Sequence, residues 1–175
     1  MNIIVAVDDN WGIGKGGTQT VVIPEDRKYF RALTDSGTVI VGHKTLLDFP
    51  GGKPLTGRNN IVMSRNKDLI IDGAAVVSTL AELFTLIEAM DPDKLFVIGG
   101  GHVFRLLLPY CRYAYVTKIK ALPEADAFFP NLDALDNWVL DDAGEWKMYN
   151  GVGYAFQKYK NTSPQNIQEM RDRYV

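Results

Sequence analysis

The chain of 175 residues has few of the side chains that bind metals or form disulfides. Its single cysteine, Cys111, cannot form a disulfide within the chain and excludes a cysteine-rich metal site. Its two histidines, His43 and His102, lie far apart in the sequence and follow no metal-ligand spacing. We therefore expect no bound metal, and we expect a protein that works in the reducing cytoplasm.

Clusters of charge of one sign and long apolar runs are also missing. The net charge is −2, and no Lys/Arg cluster is longer than a pair, which argues against nucleic acid and against an acidic membrane surface as partners. The first residues, MNIIVAVDD, have no basic segment and reach an acid at residue 8. They predict neither a signal peptide nor a membrane span. The length fits one domain.

Short apolar runs alternate with helical patterns along two-thirds of the chain, and the later strands have no helices between them. The run NIIVAV is typical of a strand buried on both faces. We predict strands over 2–7, 37–42, 58–64, 74–77, 94–99, 112–119, 137–140 and 153–159, and helices over 24–34, 44–48, 78–90 and 101–109. This order predicts an α/β fold with a mostly parallel sheet and an antiparallel edge.

Two segments fall outside this alternation. Residues 8–22 contain four glycines, which predict a long, mobile loop without regular structure. Residues 161–175 differ in composition, so we divide the chain into a domain over 1–160 and a C-terminal extension. The extension is either a frayed terminus or a short helix with Ser163 as N-cap, and that helix would place three apolar residues on one side: Ile167, Met170 and Tyr174.

An acid interrupts the apolar side of the helix over 24–34. Asp26 shares the i, i+4, i+7 positions with Phe30 and Leu33. A carboxylate on a buried stripe costs several kcal/mol unless a group hydrogen-bonds it, and no neighbouring residue is an obvious partner. Asp26 therefore either interacts only with the positive end of the helix dipole or binds a ligand.

Two strands run into glycines and then into helices. One reaches Gly99–Gly101 and the other reaches Gly42, which His43 and Lys44 follow. Glycines allow a ligand close to the backbone, and helix N-termini offer N–H groups to phosphate, although each turn alone also fits a simple tight connection. The strand over 58–64 ends in Ser64 and then Arg65, where a site for NAD would place an acid. This favours NADP over NAD.

Together these motifs resemble the dihydrofolate reductase family over about residues 1–160. The matching stretches, in order, are AVDDNWGIGKGG, IPED-KYF, VIVGHKTLLDFPGGKPLTGRNN, VIGGGHVF, YVTKI and DAFFP. The resemblance implies a single-domain fold with a central eight-stranded mixed sheet and four flanking helices. It also implies a monomer that reduces 7,8-dihydrofolate to tetrahydrofolate with NADPH and that binds antifolate inhibitors.

The resemblance also implies roles for individual residues. Asp26 binds the pterin, Thr117 supports Asp26 directly or through water, Phe30 lines the slot for the benzoyl ring, and Arg58 holds the glutamate α-carboxylate. The implied substrate set further includes Ile4, Val5, Ala6, Arg27, Phe49, Leu55 and Ile98. The implied cofactor set is Ala6, Ile13, Gly14, Gly17, Thr18, Gly42, His43, Lys44, Thr45, Ser64, Arg65, Ile98, Gly99, Gly100, Gly101, His102, Val103 and Phe104. The Gly99–Gly100 bond is expected to be cis, and the loop around 12–20 is expected to close over the nicotinamide.

Three residues depart from the family pattern. Val21 stands where many members have a tryptophan that orders water, Arg27 where an apolar residue is usual, and Phe104 where some members have tyrosine. Two alternatives remain open. A related NADPH reductase of riboflavin synthesis should not need Asp26 together with Arg58, and a non-catalytic NADPH- or folate-binding protein would show no turnover.

Overall fold

The computed structural model describes residues 1–173, so Tyr174 lies outside the described part of the chain. The strands are β1 (Asn2–Val7), β2 (Gly12–Gly14), β3 (Thr38–Gly42), β4 (Asn59–Met63), β5 (Ala75–Val77), β6 (Leu95–Gly99), β7 (Tyr113–Ile119), β8 (Ala127–Phe128), β9 (Trp138–Ala143), β10 (Lys147–Tyr149) and β11 (Val152–Asn161). The α-helices are α1 (Pro24–Thr34), α2 (His43–Leu47), α3 (Leu80–Ile87), α4 (Gly101–Leu107) and α5 (Ile167–Asp172).

In the described residues, the central sheet has nine strands in eight positions, in the order β10-β11-β7-β1-β6-β3-β4-β5, with β9 also paired to β11. All neighbours from β5 to β7 are parallel, and β11 runs antiparallel to β7. β10 pairs with the start of β11 and β9 with its end, so the two share one edge position. The predicted mixed sheet with an antiparallel edge is confirmed.

Three short strands, β2, β8 and β10, were not predicted from the sequence. β2 pairs with β8 across Gly12↔Phe128 and Gly14↔Ala127, so the prediction of no regular structure over 8–22 is wrong for this part. Glycine discourages a strand but does not forbid one when another backbone supplies the hydrogen bonds. β8 and β10 have two and three residues, too few for a recognisable period of apolar side chains.

The two faces of the central sheet are covered to different extents. We call the face that carries Val5, Val97 and Val116 the closed face. Its side chains form one apolar cluster with residues of α3 and α4. The opposite face, the open face, has two separate clusters within residues 1–173. One surrounds Ile119 and the other surrounds Val41.

The two clusters of the open face are separate, and we call the partly exposed surface between them the cleft. Ala6 of β1 packs against one cluster and Ile98 of β6 against the other, so the boundary runs between these neighbouring strands. α1 covers the β11 side of the cleft, where the rings of Tyr29 and Phe156 lie 4.2 Å apart. α2 covers the other side through Leu46.

The C-terminal segment is tied to the body of the protein. β11 continues to Asn161, whose buried side chain donates to the Cys111 carbonyl at 3.0 Å and accepts from the Asn137 side chain at 3.0 Å. A helix follows, but its N-cap is Asn166 and not the predicted Ser163. The division of the chain after residue 160 stays a prediction.

Candidate active site

Asp26 and Thr117 meet at one end of the cleft. The Thr117 hydroxyl donates a hydrogen bond of 2.5 Å to Asp26 Oδ1. Asp26 lies in the first turn of α1, where Pro24 is the first helical residue, and Thr117 lies on the open face of β7. The stripe of Asp26, Phe30 and Leu33 is only partly buried, because it borders the cleft and not the core.

Burial raises the pKa of Asp26 above its ordinary value, because desolvation penalises the charged carboxylate. The hydrogen bond from Thr117 and the positive charge of Arg27 act in the opposite direction. A carboxylate with a single neutral donor in a partly dry site can still accept further hydrogen bonds. It is therefore suited to bind a ligand that carries N–H groups or a positive charge.

The sheet places further candidate residues beside this pair. Ala6 and Phe156 are in register with Thr117 on either side, so the three side chains point to the open face. Ile4 lies two residues before Ala6 on the same face. Val5 has the opposite orientation, and its side chain belongs to the closed face, so only its backbone could reach a ligand in the cleft.

Arg58 lies at the other end of α1. Its guanidinium donates to the Thr56 carbonyl at 3.0 Å and 2.8 Å and to Thr34 Oγ1 at 3.3 Å. The Asn60 side chain holds this loop by bonding both the N–H and the C=O of Leu55 at 2.9 Å. Thr34 and Asn60 were not predicted from the sequence, since neither belongs to a pattern that indicates chemistry.

The glycine turns meet at the carboxyl ends of three parallel strands. Val41 pairs with Gly99, and Gly42 pairs with Met63, so Gly42, Gly99 and the residues that follow β4 lie side by side. The Gly99–Gly100 peptide is cis. A Cβ on Gly100 would lie 2.7 Å from Thr45 Oγ1, so glycine keeps the space between α2 and α4 open.

Basic side chains surround these turns. Lys44, Arg65 and His102 are exposed, and His43 is partly exposed. No carboxylate stands at the end of β4, where Ser64 accepts from the Asn66 N–H at 3.2 Å. Backbone N–H groups at helix N-termini, close approach at glycines and a basic strand end together fit a dinucleotide that carries a 2′-phosphate.

The sequence model of dihydrofolate reductase matches residues 1–161 of this chain. This chain belongs to the dihydrofolate reductase family. It is 38% identical to the dihydrofolate reductase of Mycobacterium tuberculosis H37Rv over 152 residues, which cover 84% of this chain and 89% of that protein. It is 35% identical to the enzyme of Bacillus subtilis 168 over 167 residues, which cover 93% and 96% of the two chains.

A solved structure supports the same assignment. Dihydrofolate reductase from Enterococcus faecalis, complexed with NADP(H) and RAB-propyl, superposes with a TM-score of 0.81 and 28% identity over 91% of this chain and 95% of that one. The activity is therefore the NADPH-dependent reduction of 7,8-dihydrofolate to tetrahydrofolate. Neither the riboflavin-pathway reductase nor a non-catalytic binding protein is favoured.

Two residues of the cofactor set implied by the dihydrofolate reductase family have buried side chains. Val103 and Phe104 lie in the cluster of the closed face, and the Phe104 ring meets Phe129 edge-on at 5.1 Å. The Phe104 N–H already donates to the Gly100 carbonyl at 2.9 Å. The side chains of Val103 and Phe104 therefore expose almost no surface to a dinucleotide.

The glycine-rich loop is held from two directions. Thr18 Oγ1 donates to Asp48 at 2.6 Å, just past the end of α2. On the other side the Gly16 N–H donates to Asp126 at 2.9 Å, and Lys15 pairs with Glu124 at 2.5 Å. These acids were missed because their partners are distant in sequence and no local pattern links them.

The start of the loop also approaches β1. Ala6 and Ile13 line one small cavity together with Gln19, Thr20 and Val21. Gly14 follows Ile13 in β2, and Gly17 has a positive φ of 85°. Val21 packs against the cluster around Ile119.

Within residues 1–173, no helix combines the length and the apolar character that crossing a membrane requires. In the same residues, no group of three or more His, Cys, Asp or Glu side chains is arranged to hold a metal ion.

Proposed function

We propose that Asp26 and Thr117 are the catalytic pair of dihydrofolate reduction in this chain. The observation that carries this proposal is the direct hydrogen bond between them, at a site where burial raises the pKa of the carboxyl group. The two carboxylate oxygens of Asp26 accept from the pterin 2-amino group and the adjacent ring nitrogen as a charge-assisted pair, and Oδ1 keeps its bond from Thr117 through its second lone pair. Thr117 fixes the orientation of the carboxylate for this contact.

Reduction also needs a proton at pterin N5. The negative charge of Asp26 favours the protonated ring electrostatically, and water is the immediate donor. Val21 lacks the N–H of the tryptophan found in many relatives, so the carboxylate and Thr117 carry a larger share of ordering that water.

The rest of the substrate lies along the cleft towards Arg58. Phe30 on α1 and Phe49 after α2 both belong to the open face. They stand on the two sides of the cleft and flank the benzoyl ring, with Leu55 next to them. The Arg58 guanidinium is held in place by Thr56 and Thr34, so its planar fork binds the glutamate α-carboxylate with little loss of side-chain entropy.

The glycine turns and the basic strand ends hold the cofactor. NADPH supplies the hydride when it is bound. Gly42, Gly99 and Gly100 admit it close to the backbone, Lys44 neutralises phosphate charge, His102 donates a hydrogen bond to phosphate, and Arg65 with Ser64 binds the 2′-phosphate. The remaining contacts come from the other members of the cofactor set: Ala6, Ile13, Gly14, Gly17, Thr18, His43, Thr45, Ile98, Gly101 and the backbone of Val103. Phe104 makes no such contact, because its side chain is buried and its N–H donates to the Gly100 carbonyl.

The cellular setting is part of the same proposal. We infer a cytoplasmic monomer without nucleic-acid partners, and antifolates that occupy the dihydrofolate cleft. The single buried thiol of Cys111 and the absence of basic clusters in the sequence support this. Size-exclusion chromatography with light scattering tests the monomer; a stable dimer would contradict it.

A cofactor comparison tests the function directly. Absorbance should fall steadily when the protein is mixed with NADPH and dihydrofolate, and much more slowly with NADH. Arg65→Gln should lower kcat/KM for NADPH about tenfold or more and leave that for NADH nearly unchanged, because only NADPH carries the 2′-phosphate. Lys67→Gln, an exposed neighbour, is the control. Equal losses with both cofactors would contradict the role of Arg65.

A further inference from the structure

A tryptophan with an unusual backbone stands at the start of the glycine-rich loop. Trp11 has a φ of 59°, in the left-handed region that favours glycine. Its N–H donates to the Asp8 carbonyl at 3.1 Å, and the Asp8 side chain accepts from the Asn10 and Gly12 N–H groups at 2.8 Å, so the turn is held in this shape. A large side chain at such a position strains the backbone, which indicates that the ring does something that glycine could not do.

The ring of Trp11 is enclosed by three side chains from distant parts of the chain. It stacks on Phe129 with the ring centroids 6.2 Å apart, and it meets Tyr159 edge-on at 6.1 Å. The Lys118 ammonium lies 3.6 Å from its centroid, where the face of the ring attracts a positive charge. Asp133 joins the last two partners, because it accepts from the Tyr159 hydroxyl at 2.7 Å and lies 4.0 Å from Lys118 Nζ.

The backbone of Trp11 leads directly into β2. Its carbonyl accepts from the Phe129 N–H at 2.8 Å, next to the pairing of β2 with β8. Two residues later, Ile13 reaches the first residue of α4, since a Cβ on Gly101 would lie 3.8 Å from Ile13 Cδ1. A fixed Trp11 therefore fixes Ile13 relative to the start of α4.

The ring contacts continue from Trp11 to α4. Phe129 also meets Phe104 edge-on at 5.1 Å, so four rings follow one another from β11 to α4. We call Tyr159, Trp11, Phe129 and Phe104 the aromatic row. Rings that are packed at the density of a protein interior hold their positions closely. The row thus connects the start of the glycine-rich loop with the helix that follows the Gly99–Gly101 turn.

The position of this loop matters for the reaction. Reacting atoms must be held about 3–3.5 Å apart, and a displacement of about 1 Å can lower a rate about a hundredfold. Ile13 and Gly14 belong to the cofactor set, and so does the Gly99–Gly101 turn. A rigid link between the two parts prepares both for one cofactor before it binds, which lowers the entropy lost on binding.

We propose that Trp11 is a positioning residue for hydride transfer, which holds Ile13 and the glycine-rich loop in place through the aromatic row. This inference rests on the proposed function, because Ile13 belongs to the cofactor set. Trp11 lies outside the central sheet and its ring is buried in the cluster of the closed face, so it acts through Ile13 and not by contact with a ligand.

Trp11→Leu tests the proposal against Trp138→Leu. Both changes remove a tryptophan ring from the same cluster, where the two residues are 6% and 5% exposed, but Trp138 belongs to β9, whose only strand partner in the described residues is β11. In the free enzyme, amide hydrogen exchange over 12–16 and 126–129 should become faster in Trp11→Leu and keep the wild-type rate in Trp138→Leu.

Two measurements with the cofactor extend this comparison. In Trp11→Leu the dissociation constant for NADPH should rise about threefold to tenfold, because binding must then order the loop. The single-turnover rate of dihydrofolate reduction should fall about tenfold to a hundredfold. Trp138→Leu should keep both wild-type values. Trp11→Phe keeps a ring at the same backbone position and should recover most of both losses.

Trp11→Phe also decides the question if Trp11→Leu does not fold. Compared with Trp138→Phe, it should slow reduction about twofold to fivefold, as the weakening of one aromatic contact would give.

Equal losses in the Trp11 and Trp138 variants would overturn the proposal, since the effect would then be general stability. Slower reduction with unchanged hydrogen exchange would overturn it too, because Trp11 would not act through the loop. Wild-type exchange, NADPH binding and reduction in Trp11→Leu would overturn it and leave the proposed function standing. No turnover in the wild type would instead overturn the proposed function.

Discussion

On the closed face of the sheet, α3 and α4 cover the strands so completely that Val97, Leu107 and Val116 have no exposed surface. On the open face, Ala6, Ile98 and Phe156 stay partly exposed between two smaller clusters. The strands β1, β6 and β7 each place some residues on the closed face and others on the open face. Alternate residues of one strand therefore serve stability and chemistry separately. Substitutions on the closed face should lower the free energy of unfolding, and substitutions on the open face should lower turnover.

The largest expected effect is on turnover, at Asp26. Asp26→Asn keeps the shape and an acceptor for Thr117 but removes the charge, so kcat/KM should fall about 10²- to 10⁴-fold at neutral pH. The fold should be intact by circular dichroism. Near-normal turnover would contradict the catalytic role of Asp26.

The stability of the same variant should change in the opposite direction. Because the pKa of Asp26 is raised in the folded state, the folded wild type binds more protons than the unfolded chain just above the ordinary pKa of about 3.9. Its stability therefore falls as pH rises through the interval between the unfolded and folded pKa values. Asp26→Asn should gain stability relative to the wild type from pH 4 to pH 7 in urea titrations, and the difference should vanish in acid.

A substitution on the closed face should do the reverse. Phe84 is almost fully buried in α3, with its ring 4.9 Å from that of Tyr110. Phe84→Ala should lower the free energy of unfolding by about 3–5 kcal/mol, because a cavity replaces the ring. At a temperature where the variant is folded, kcat/KM should stay close to the wild-type value. A loss of turnover without a loss of stability would break the division between the faces.

A smaller effect is expected at Thr117. Thr117→Val keeps the shape but removes the hydrogen bond that lowers the pKa of Asp26. Hydrogen bonds to charged groups contribute about 1.5–3 kcal/mol, and one pKa unit corresponds to about 1.4 kcal/mol. The pH–rate profile should therefore move to higher pH by about one to two units. An unchanged profile would mean that Thr117 does not act through Asp26.

The smallest effect is expected in the C-terminal helix. Ile167 of α5 packs partly buried against the cluster of the closed face. Ile167→Ala should cost about 1 kcal/mol of stability and leave turnover unchanged, because only part of the side chain is removed from water. Thermal unfolding measures the stability, and absorbance with NADPH and dihydrofolate measures the turnover. A change in kcat would contradict the expectation that α5 has no effect on the cleft.

The sequence predicts the regular parts of this fold and much less of its site. β1 follows from its continuous apolar run, and the helix with Asp26 follows from its helical period. β8 and β10 could not be predicted, because two or three residues carry no period. The acid on the apolar stripe indicated a ligand, but its partner Thr117 lies 91 residues away and only the resemblance to a family named it. Asp48, Asp126 and Thr34 were not predicted either, because their hydrogen-bond partners are also distant in the sequence.

The state of the Asp26 carboxyl group is the most direct test of the whole account. Carbon NMR of the enzyme with labelled aspartate, read against Asp26→Asn for assignment, gives its pKa with and without folate. The account predicts a pKa above about 3.9 in the free enzyme and a large shift of this signal when folate binds. An ordinary or lowered pKa, together with a signal that folate leaves unmoved, would contradict it.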